Sequence, residues 1–148
     1  MMAFTDSEAY QVIWHIRRLF RVLAARSDEL ISDLGVTAAD RAVLEFLYPE
    51  QAFTVPELAV RYRVTRQHVQ VTVNRLLERG LVEQRPNPRH RRSKLIRLTS
   101  RGRNLFDTIL RRDQEEVAAL FKELPAGRVE TTHNTLLTLL ERLEGDPQ

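Results

Sequence analysis

The stretch 64–99 constrains the fold of this chain more than any other part of its sequence. A segment with helical spacing of its apolar residues and a polar outer face closes at Gly80, and two short β-compatible runs follow, 81–85 and 94–98. The loop between these runs is rich in proline and arginine, which favours an antiparallel hairpin with a long turn. The stretch therefore predicts a helix followed by a basic β-hairpin.

The basic residues of the chain are concentrated in one segment. The chain has 148 residues and a net charge of +3, but the segment from Arg61 to Arg103 carries +11 and the remainder carries −8. A segment with such a surplus repels itself unless it meets a polyanion. Nucleic acid is the simplest partner of this kind, and an acidic membrane surface is the weaker alternative.

The composition excludes several classes of function. The chain has no cysteine, which excludes disulfides, thiolate metal sites, cysteine nucleophiles and thiol-based redox sensing. The four histidines are far apart in the sequence, so we expect no metal site. No apolar run approaches the roughly 18 residues of a membrane span, and the first ten residues lack the features of a secretory signal. We expect a cytoplasmic protein without a cofactor.

Caps and breakers divide the chain into six helices and the hairpin. The predicted caps are Thr5 (in a box with Glu8), Thr37, Thr54, Thr65 and Thr99, and the predicted stops are Gly35, Pro49, Gly80 and the pair Pro125 and Gly127. The order of four helices, a hairpin and two helices is a mainly α fold with a small β-hairpin (α+β). It is typical of a winged helix-turn-helix domain.

We expect one domain, 1–148, with a DNA-binding module at 37–99 and terminal helices at 5–35 and 99–144. The terminal helices carry more apolar residues than so small a module can cover. They therefore need a partner, most simply a second copy of the chain, and we predict that they are dimerisation helices.

The helix capped by Thr65 carries the candidate base contacts. If Val69, Val73 and Leu76 are buried, the opposite face presents Gln67, Gln70, Val71 and Asn74 at helical spacing. Glutamine and asparagine can pair with adenine edges, a valine can pack on a thymine methyl, and Arg66 or His68 can reach a guanine or a phosphate. The alternative is a solvated face, where glutamate and lysine would be more typical than amides.

Three further candidates have a structural interpretation beside the functional one. Thr54 and Thr65 cap helices, and the amides of a capped first turn can also bind a phosphate. Arg75 can bind a phosphate or pair with Glu78 three residues on.

The loop of the hairpin is the strongest electrostatic signal in the chain. Arg89, His90, Arg91 and Arg92 follow one another with no acid among them, and Lys94 comes next but one. The narrow minor groove of DNA attracts an inserted arginine. The alternative is a disordered surface loop, against which the two prolines argue because they restrict the backbone.

The sequence offers no residues for catalysis. It has no paired carboxylates in an apolar setting, no glycine-rich phosphate loop and no Ser/His/Asp arrangement. Trp14 and His15 in the first helix can line a small-molecule pocket, although an interfacial aromatic and a satisfied core histidine are more common. An enzyme is the least favoured class.

Two motifs resemble the MarR family of bacterial transcriptional regulators. The segment from Val64 to Val69, leading through Asn74-Arg75-Leu76 to Glu78-Arg79-Gly80-Leu81-Val82, is similar to the recognition helix of that family and its exit. The stretch 85–92, followed by Arg97-Leu98-Thr99 and Gly102-Arg103, is similar to its wing signature.

The resemblance implies a homodimer that binds a pseudo-palindromic operator, usually as a repressor. It also implies a possible small aromatic effector that releases the DNA from a pocket between the dimer helices and the DNA-binding module. Two departures stand out: Asn87 and His90 replace aspartates that orient the wing arginines, so the wing should be more cationic and looser. The family's Thr-Val-Thr-Arg is replaced by His68-Val69-Gln70-Val71, so the operator sequence cannot be transferred. A winged-helix adaptor that binds an acidic protein remains the alternative.

Overall fold

The computed structural model describes residues 7–145, which form six α-helices and one two-stranded antiparallel sheet. In chain order the elements are α1 (Glu8–Ile31), α2 (Ala38–Leu47), α3 (Val55–Tyr62), α4 (Arg66–Glu78), β1 (Val82–Arg85), β2 (Leu95–Leu98), α5 (Ser100–Phe121) and α6 (Ala126–Glu144). A short 3-10 turn, Ser32–Leu34, follows α1. The predicted mainly α fold with one β-hairpin is confirmed.

Threonine caps begin the central helices where the sequence predicts them. The Thr37 hydroxyl accepts a hydrogen bond from the Asp40 amide at 3.1 Å, and the Asp40 carboxylate accepts one from the Thr37 amide at 3.0 Å. Thr54 and Glu57 form the same reciprocal box at the start of α3, with Pro56 in its first turn. These boxes satisfy amides that no helical carbonyl can reach, so local sequence determines where the helices begin.

The first helix starts later than predicted. The predicted cap, Thr5, lies outside the described residues, and the Ser7 side chain caps α1 by accepting from the Tyr10 amide at 3.1 Å. The 3-10 turn then carries the chain to Gly35, whose φ of 65° lies in the left-handed region. The predicted stop at Gly35 is confirmed, although the last turn before it is not α-helical.

The break between α5 and α6 is shorter than predicted. Glu123 has a positive φ of 67°, and Pro125 directly precedes α6. Gly127, predicted to belong to the break, lies in the first turn of α6, and that prediction is wrong. Proline has a φ suited to the start of a helix, so the new helix begins directly after it.

A residue outside the two strands also pairs with the β-hairpin, and the sequence did not predict it. The two strands pair from Val82 with Leu98 to Arg85 with Leu95. Phe53, between α2 and α3, bridges to the second strand: its amide donates to the Ile96 carbonyl at 3.1 Å and its carbonyl accepts from the Ile96 amide at 2.8 Å. A single residue has no β periodicity to detect. The bridge holds the base of the hairpin beside the start of α3.

The core lies where α2, α3 and α4 meet the hairpin. Its fully buried apolar side chains include Ile31, Val43, Leu44, Leu47, Leu58, Val69, Val73, Leu76, Ile96 and Ile109. The predicted inner face of α4 is therefore confirmed, and its burial leaves the opposite face of α4 free for another role.

Two arginine side chains link α5 to the end of α1 and to α2. Arg112 of α5 donates to the Leu30 carbonyl at 2.7 Å and to the Asp33 carboxylate at 2.6 Å. The Arg112 guanidinium holds the pKa of Asp33 below its usual range, mainly through this hydrogen bond. Arg41 of α2 forms an ion pair with Asp113 of α5. These contacts join elements that are far apart in the sequence.

The chain forms two compact units, one up to Asp113 and one from Gln114, and each carries exposed apolar side chains. In the first unit, α1 exposes Val12, Trp14, Leu19, Phe20, Val22 and Leu23. In the second unit, α5, α6 and the turn between them expose Val117, Leu120, Phe121, Leu124, Leu136, Leu137, Leu140 and Leu143. No helix within residues 7–145 is long and apolar enough to span a bilayer.

We expect Gly102→Ala to destabilise the protein. An added Cβ would lie 1.9 Å from the Leu81 carbonyl oxygen, so the backbone of α5 or of the link before β1 must move. Such overpacking costs about 1 to 3 kcal/mol, measurable as a loss of unfolding free energy in urea. Gly127→Ala is the matched control, because its Cβ would meet nothing within 4 Å. Equal stability of Gly102→Ala and the wild type would contradict this packing.

Candidate nucleic-acid interface

The outer face of α4 presents an ordered pair of amides. Gln67, Gln70 and Asn74 are exposed, and Val71 is 56% exposed beside them. The Gln70 Nε2 donates to the Asn74 Oδ1 at 2.8 Å. This bond leaves the Gln70 Oε1 as a free acceptor and the Asn74 Nδ2 as a free donor on the same surface. The helix therefore presents a donor and acceptor pattern of the kind that base edges match.

The N-terminus of α4 is open to an anion. The exposed Thr65 hydroxyl accepts from the His68 amide at 3.1 Å, and the first turn contains no acidic residue. The remaining first-turn amides and the positive end of the helix dipole attract a phosphate. Arg66 is exposed at this end, and the exposed His68 lies with its ring 6.1 Å from the Tyr62 ring.

Thr54 differs from Thr65 in this respect. It is only 6% exposed, and its hydroxyl accepts from the Glu57 amide at 3.3 Å. The Glu57 carboxylate accepts from the Thr54 amide at 2.8 Å, so an anion already occupies the start of α3. Of the two interpretations that the sequence left open for Thr54, its contacts favour the cap.

Arg75 forms an ion pair with Asp40 and not with Glu78. Its Nε donates to the Asp40 Oδ1 at 2.9 Å, and its Nη2 reaches the Thr37 hydroxyl at 3.3 Å. Asp40 is fully buried and lies 35 residues away in the sequence. The pairing with Glu78 is therefore wrong, because a buried carboxylate on α2 takes the guanidinium instead.

The hairpin separates its arginines into paired and unpaired ones. The Glu83 carboxylate accepts from Arg97 Nε across the strand pair at 2.6 Å and from Arg85 of its own strand at 3.2 Å. The hydrogen bond from Arg97 holds the pKa of Glu83 below its usual value, and desolvation opposes it. Within residues 7–145, the remaining wing cations form no ion pair and are exposed; they are Arg89, Arg91, Arg92 and Lys94.

Asn87 orders the start of the wing loop. Its side-chain carbonyl accepts from the Arg89 amide at 3.1 Å, which is the turn that an aspartate would also form. Asn87 thus supplies the acceptor without the negative charge. Arg89, Arg91, Arg92 and Lys94, which follow, therefore have no carboxylate at this position beside them.

A cleft of about 580 Å³ brings five of the predicted residues of α4 and the wing together, and the other predicted residues of these elements do not line it. Arg66, Gln67 and Gln70 line one side, and Arg92 and Lys94 line the other. Val55 and Pro56 at the start of α3 and Ile96 of β2 form its apolar part. The α4 residues and the wing residues are about 25 positions apart in the sequence. The hairpin and the Phe53 bridge bring them together. The cleft is cationic and suits a strand of sugar and phosphate.

Trp14 and His15 do not join this surface. Trp14 is 43% exposed on α1, its ring packs edge-on against the His15 ring at 4.9 Å, and the Arg18 guanidinium lies 5.7 Å from its centre. The His15 Nδ1 donates to the Gln11 carbonyl at 2.7 Å. Across residues 7–145, no three histidine or carboxylate side chains are grouped to hold a metal ion.

The fold and this surface define a winged helix-turn-helix protein with a cationic face for nucleic acid. A family model described as the MarR family matches residues 34–93. The "Uncharacterized protein Rv2011c" of Mycobacterium tuberculosis (strain ATCC 25618 / H37Rv) is 31% identical over 140 residues, which cover 95% of this chain and 92% of that protein.

Solved structures agree with this match. The MarR family transcription regulator SP03579 has a TM-score of 0.85 and 26% identity, over 97% of this chain and 95% of its own. Wild-type MarR (apo form) of Escherichia coli has a TM-score of 0.68 and 29% identity, over 83% of this chain and 94% of its own. The chain belongs to the MarR family and is a DNA-binding transcription regulator.

The ion pair of Glu83 predicts a pH-dependent contribution to stability. The folded-state pKa of Glu83 is depressed below its ordinary 4.5, so the pair stabilises the fold above that pH and the stabilisation is lost as the pH falls through the folded value. We expect Glu83→Gln to lower the melting temperature at neutral pH, with a difference from the wild type that shrinks in acid. In an Arg97→Ala background the substitution should have a smaller effect. A difference that is constant down to strong acid would contradict the pairing.

Proposed function

We propose that this regulator binds a specific pseudo-palindromic DNA operator as a homodimer and represses the adjacent promoter. The observation that carries the proposal is the cleft in which Arg66, Gln67 and Gln70 of α4 face Arg92 and Lys94 of the wing. We place the protein in the cytoplasm, because a bacterial transcription regulator acts where the chromosomal DNA lies.

In this proposal, α4 lies in the major groove. The free Gln70 Oε1 accepts from the exocyclic amine of an adenine, and the free Asn74 Nδ2 donates to its N7, while the bond between the two amides fixes their orientation. Val71 packs on a thymine methyl, and Gln67 and His68 contact neighbouring positions. Such direct contacts give the sequence preference.

The wing and the start of α4 hold the DNA backbone. Arg91 or Arg92 enters the minor groove, where the negative potential is strongest. Arg89, Lys94 and Arg66 contact phosphates, and the open first turn behind Thr65 binds another. The unpaired state of the wing cations supports this role, because no internal carboxylate competes with the DNA for them.

The homodimer is proposed to form through the terminal helices. The exposed apolar side chains of α1 and of the region from α5 to α6 form surfaces that a second copy can cover. A two-fold dimer presents two copies of α4, which is why the operator is expected to be pseudo-palindromic. The regulators of this family bind DNA and act as dimers.

We include a small aromatic effector in the proposal, with Trp14 and His15 as its candidate contacts. Their exposed rings offer a surface for stacking. A ligand that binds the folded dimer should raise its melting temperature in a screen of aromatic acids. If no acid in the set raises the melting temperature of the wild type or of Trp14→Ala, the proposed effector is contradicted.

The alternative function is a winged-helix adaptor that binds an acidic protein partner. The same unpaired cations would then bind any duplex only weakly, and moderate salt would abolish this binding. Gel-shift titration against DNA upstream of the chain's own gene, at two salt concentrations, distinguishes the two. A complex that survives competition by unrelated DNA supports the regulator, and a reporter fused to that promoter distinguishes repression from activation.

Loss of the wing arginines should weaken binding to all duplexes. We expect Arg91→Ala with Arg92→Ala to reduce the slope of log K against log salt by about one unit per lost phosphate-type contact. Arg111→Ala, an exposed arginine of α5, is the matched control and should leave the slope unchanged. Gln70→Ala should instead keep the slope and relax the preference at one base pair, by about 1 to 3 kcal/mol. Unchanged affinity and slope in the wing variant would contradict the wing assignment.

The dimer surface can be tested on α6. We expect Leu140→Glu to shift the protein from dimer to a monomer of 17.3 kDa in sedimentation velocity, because a carboxylate cannot be buried unpaired against apolar side chains. Operator affinity should fall with the loss of the second half-site contact. Thr138→Glu, two residues before on the other side of the helix, is the matched control and should remain dimeric. A dimeric Leu140→Glu protein would show that this face is not the interface.

A further inference from the structure

The buried carboxylate of Asp40 connects α2 to the helix that contacts DNA. Its Oδ2 accepts from the Thr37 amide at 3.0 Å within the cap of α2, and its Oδ1 accepts from the Arg75 Nε at 2.9 Å. The Asp40 side chain is 1% exposed, whereas that of Arg75 is 40% exposed. One acidic group thus completes a helix cap and holds the DNA-contacting helix.

The two links made by Asp40 and by its neighbour Arg41 run to different elements. Arg41 pairs with Asp113 of α5 and donates to the Ser27 hydroxyl of α1, and neither partner belongs to α4. Asp40 pairs with Arg75 of α4. The first turn of α2 therefore contains two ion pairs of the same chemistry, of which only one reaches the DNA-contacting helix.

A directional contact is needed between α2 and α4 because their shared core is apolar. Leu44 and Leu47 of α2 and Val73 and Leu76 of α4 are fully buried, and apolar burial has no preferred direction. A charged hydrogen bond has one, and a buried carboxylate that loses its partner is strongly unfavourable. The ion pair is therefore a directional restraint on the rotation of α4 about its axis, in addition to the core and to the Arg79 hydrogen bonds to the Gly35 and Leu34 carbonyls at the end of the helix.

Rotation of α4 decides which groups face a base edge. Arg75 follows Asn74 directly and lies five positions after Gln70, so the paired side chain and the two exposed amides belong to neighbouring turns of one helix. Side chains that contact bases must be held to within about 0.5 Å and 10 to 20° of their productive geometry. A small rotation moves the Gln70 and Asn74 pair out of that range.

We propose that Asp40 is a positioning residue for DNA recognition: through Arg75 it sets the rotation of α4 and hence the sequence selectivity of Gln70 and Asn74. The inference rests on the proposed function, in which α4 lies in the major groove. It assigns Arg75 to an ion pair within the protein rather than to a phosphate. Selectivity, but not the electrostatic affinity for DNA, depends on this pair.

The test compares a duplex selected by the wild-type protein from a random library with a scrambled duplex of the same composition. We expect Asp40→Asn and Arg75→Gln each to lower the ratio of the two affinities at least about fivefold, the lower end for one well-made base contact. The slope of log K against log salt and the affinity for the scrambled duplex should stay at wild-type values. The double variant should have the same ratio as either single variant, because both remove one interaction. Arg75→Lys, which keeps the charge, should recover part of the ratio.

Arg41→Gln is the matched control, because it removes the neighbouring ion pair without touching α4. It should lower the melting temperature and leave the affinity ratio unchanged. All affinities are measured where circular dichroism shows each variant folded, and the double variant, whose amides replace both charges, keeps the test available if a single variant fails to fold.

Three results would overturn the inference. A fall of the Arg75→Gln salt slope by about one unit, with equal weakening of both duplexes, would make Arg75 a phosphate contact. If Arg41→Gln lowers the ratio of the two affinities equally, the fall in selectivity is a consequence of lower general stability. If the ratio is unchanged in the folded double variant, the Asp40–Arg75 pair does not set selectivity. If the wild-type protein enriches no sequence, the proposed function itself fails, which is a different outcome.

Discussion

Repulsion between like charges is the constraint on which the DNA-binding module depends. The segment 61–103 carries a net charge of +11, and a compact module cannot hold so many cations close together without partners. The structure gives some of them internal acceptors: Arg75 takes a buried carboxylate, Arg79 donates to the Gly35 carbonyl at 2.6 Å, and Arg97 pairs with Glu83. Arg89, Arg91, Arg92 and Lys94 form no ion pair within residues 7–145, and they lie on the wing, where a polyanion can neutralise them.

The internally paired arginines and the unpaired ones have different consequences. Arg75 and Arg79 form hydrogen bonds to the elements before α4, and these bonds hold that helix in a fixed orientation. The exposed cations of the wing hold no other element in place, which leaves them free to adapt to a groove. Rigidity in the helix and adaptability in the wing suit selective contacts with bases and less selective contacts with the backbone.

The elements could be predicted well from the sequence, and the contacts between distant residues could not. Threonine caps, the stop at Gly35 and the inner face of α4 depend on residues within about one or two turns of each other, and these predictions are confirmed. The partner of Arg75 and the bridge from Phe53 depend on residues brought together by folding. Gly127 was misplaced because a preceding proline outweighs a glycine at the start of a helix.

By itself, the sequence determined the order of the helices, the position of the hairpin and the surplus of positive charge, because capping, periodicity and charge are properties of neighbouring residues. Only the tertiary structure decided which cations are paired, that Thr54 is buried, and that α4 and the wing line one cleft. The physical reason is that hydrogen bonds and ion pairs act over a few ångströms. Residues such as Asp40 and Arg75 come within that distance only when the core has packed.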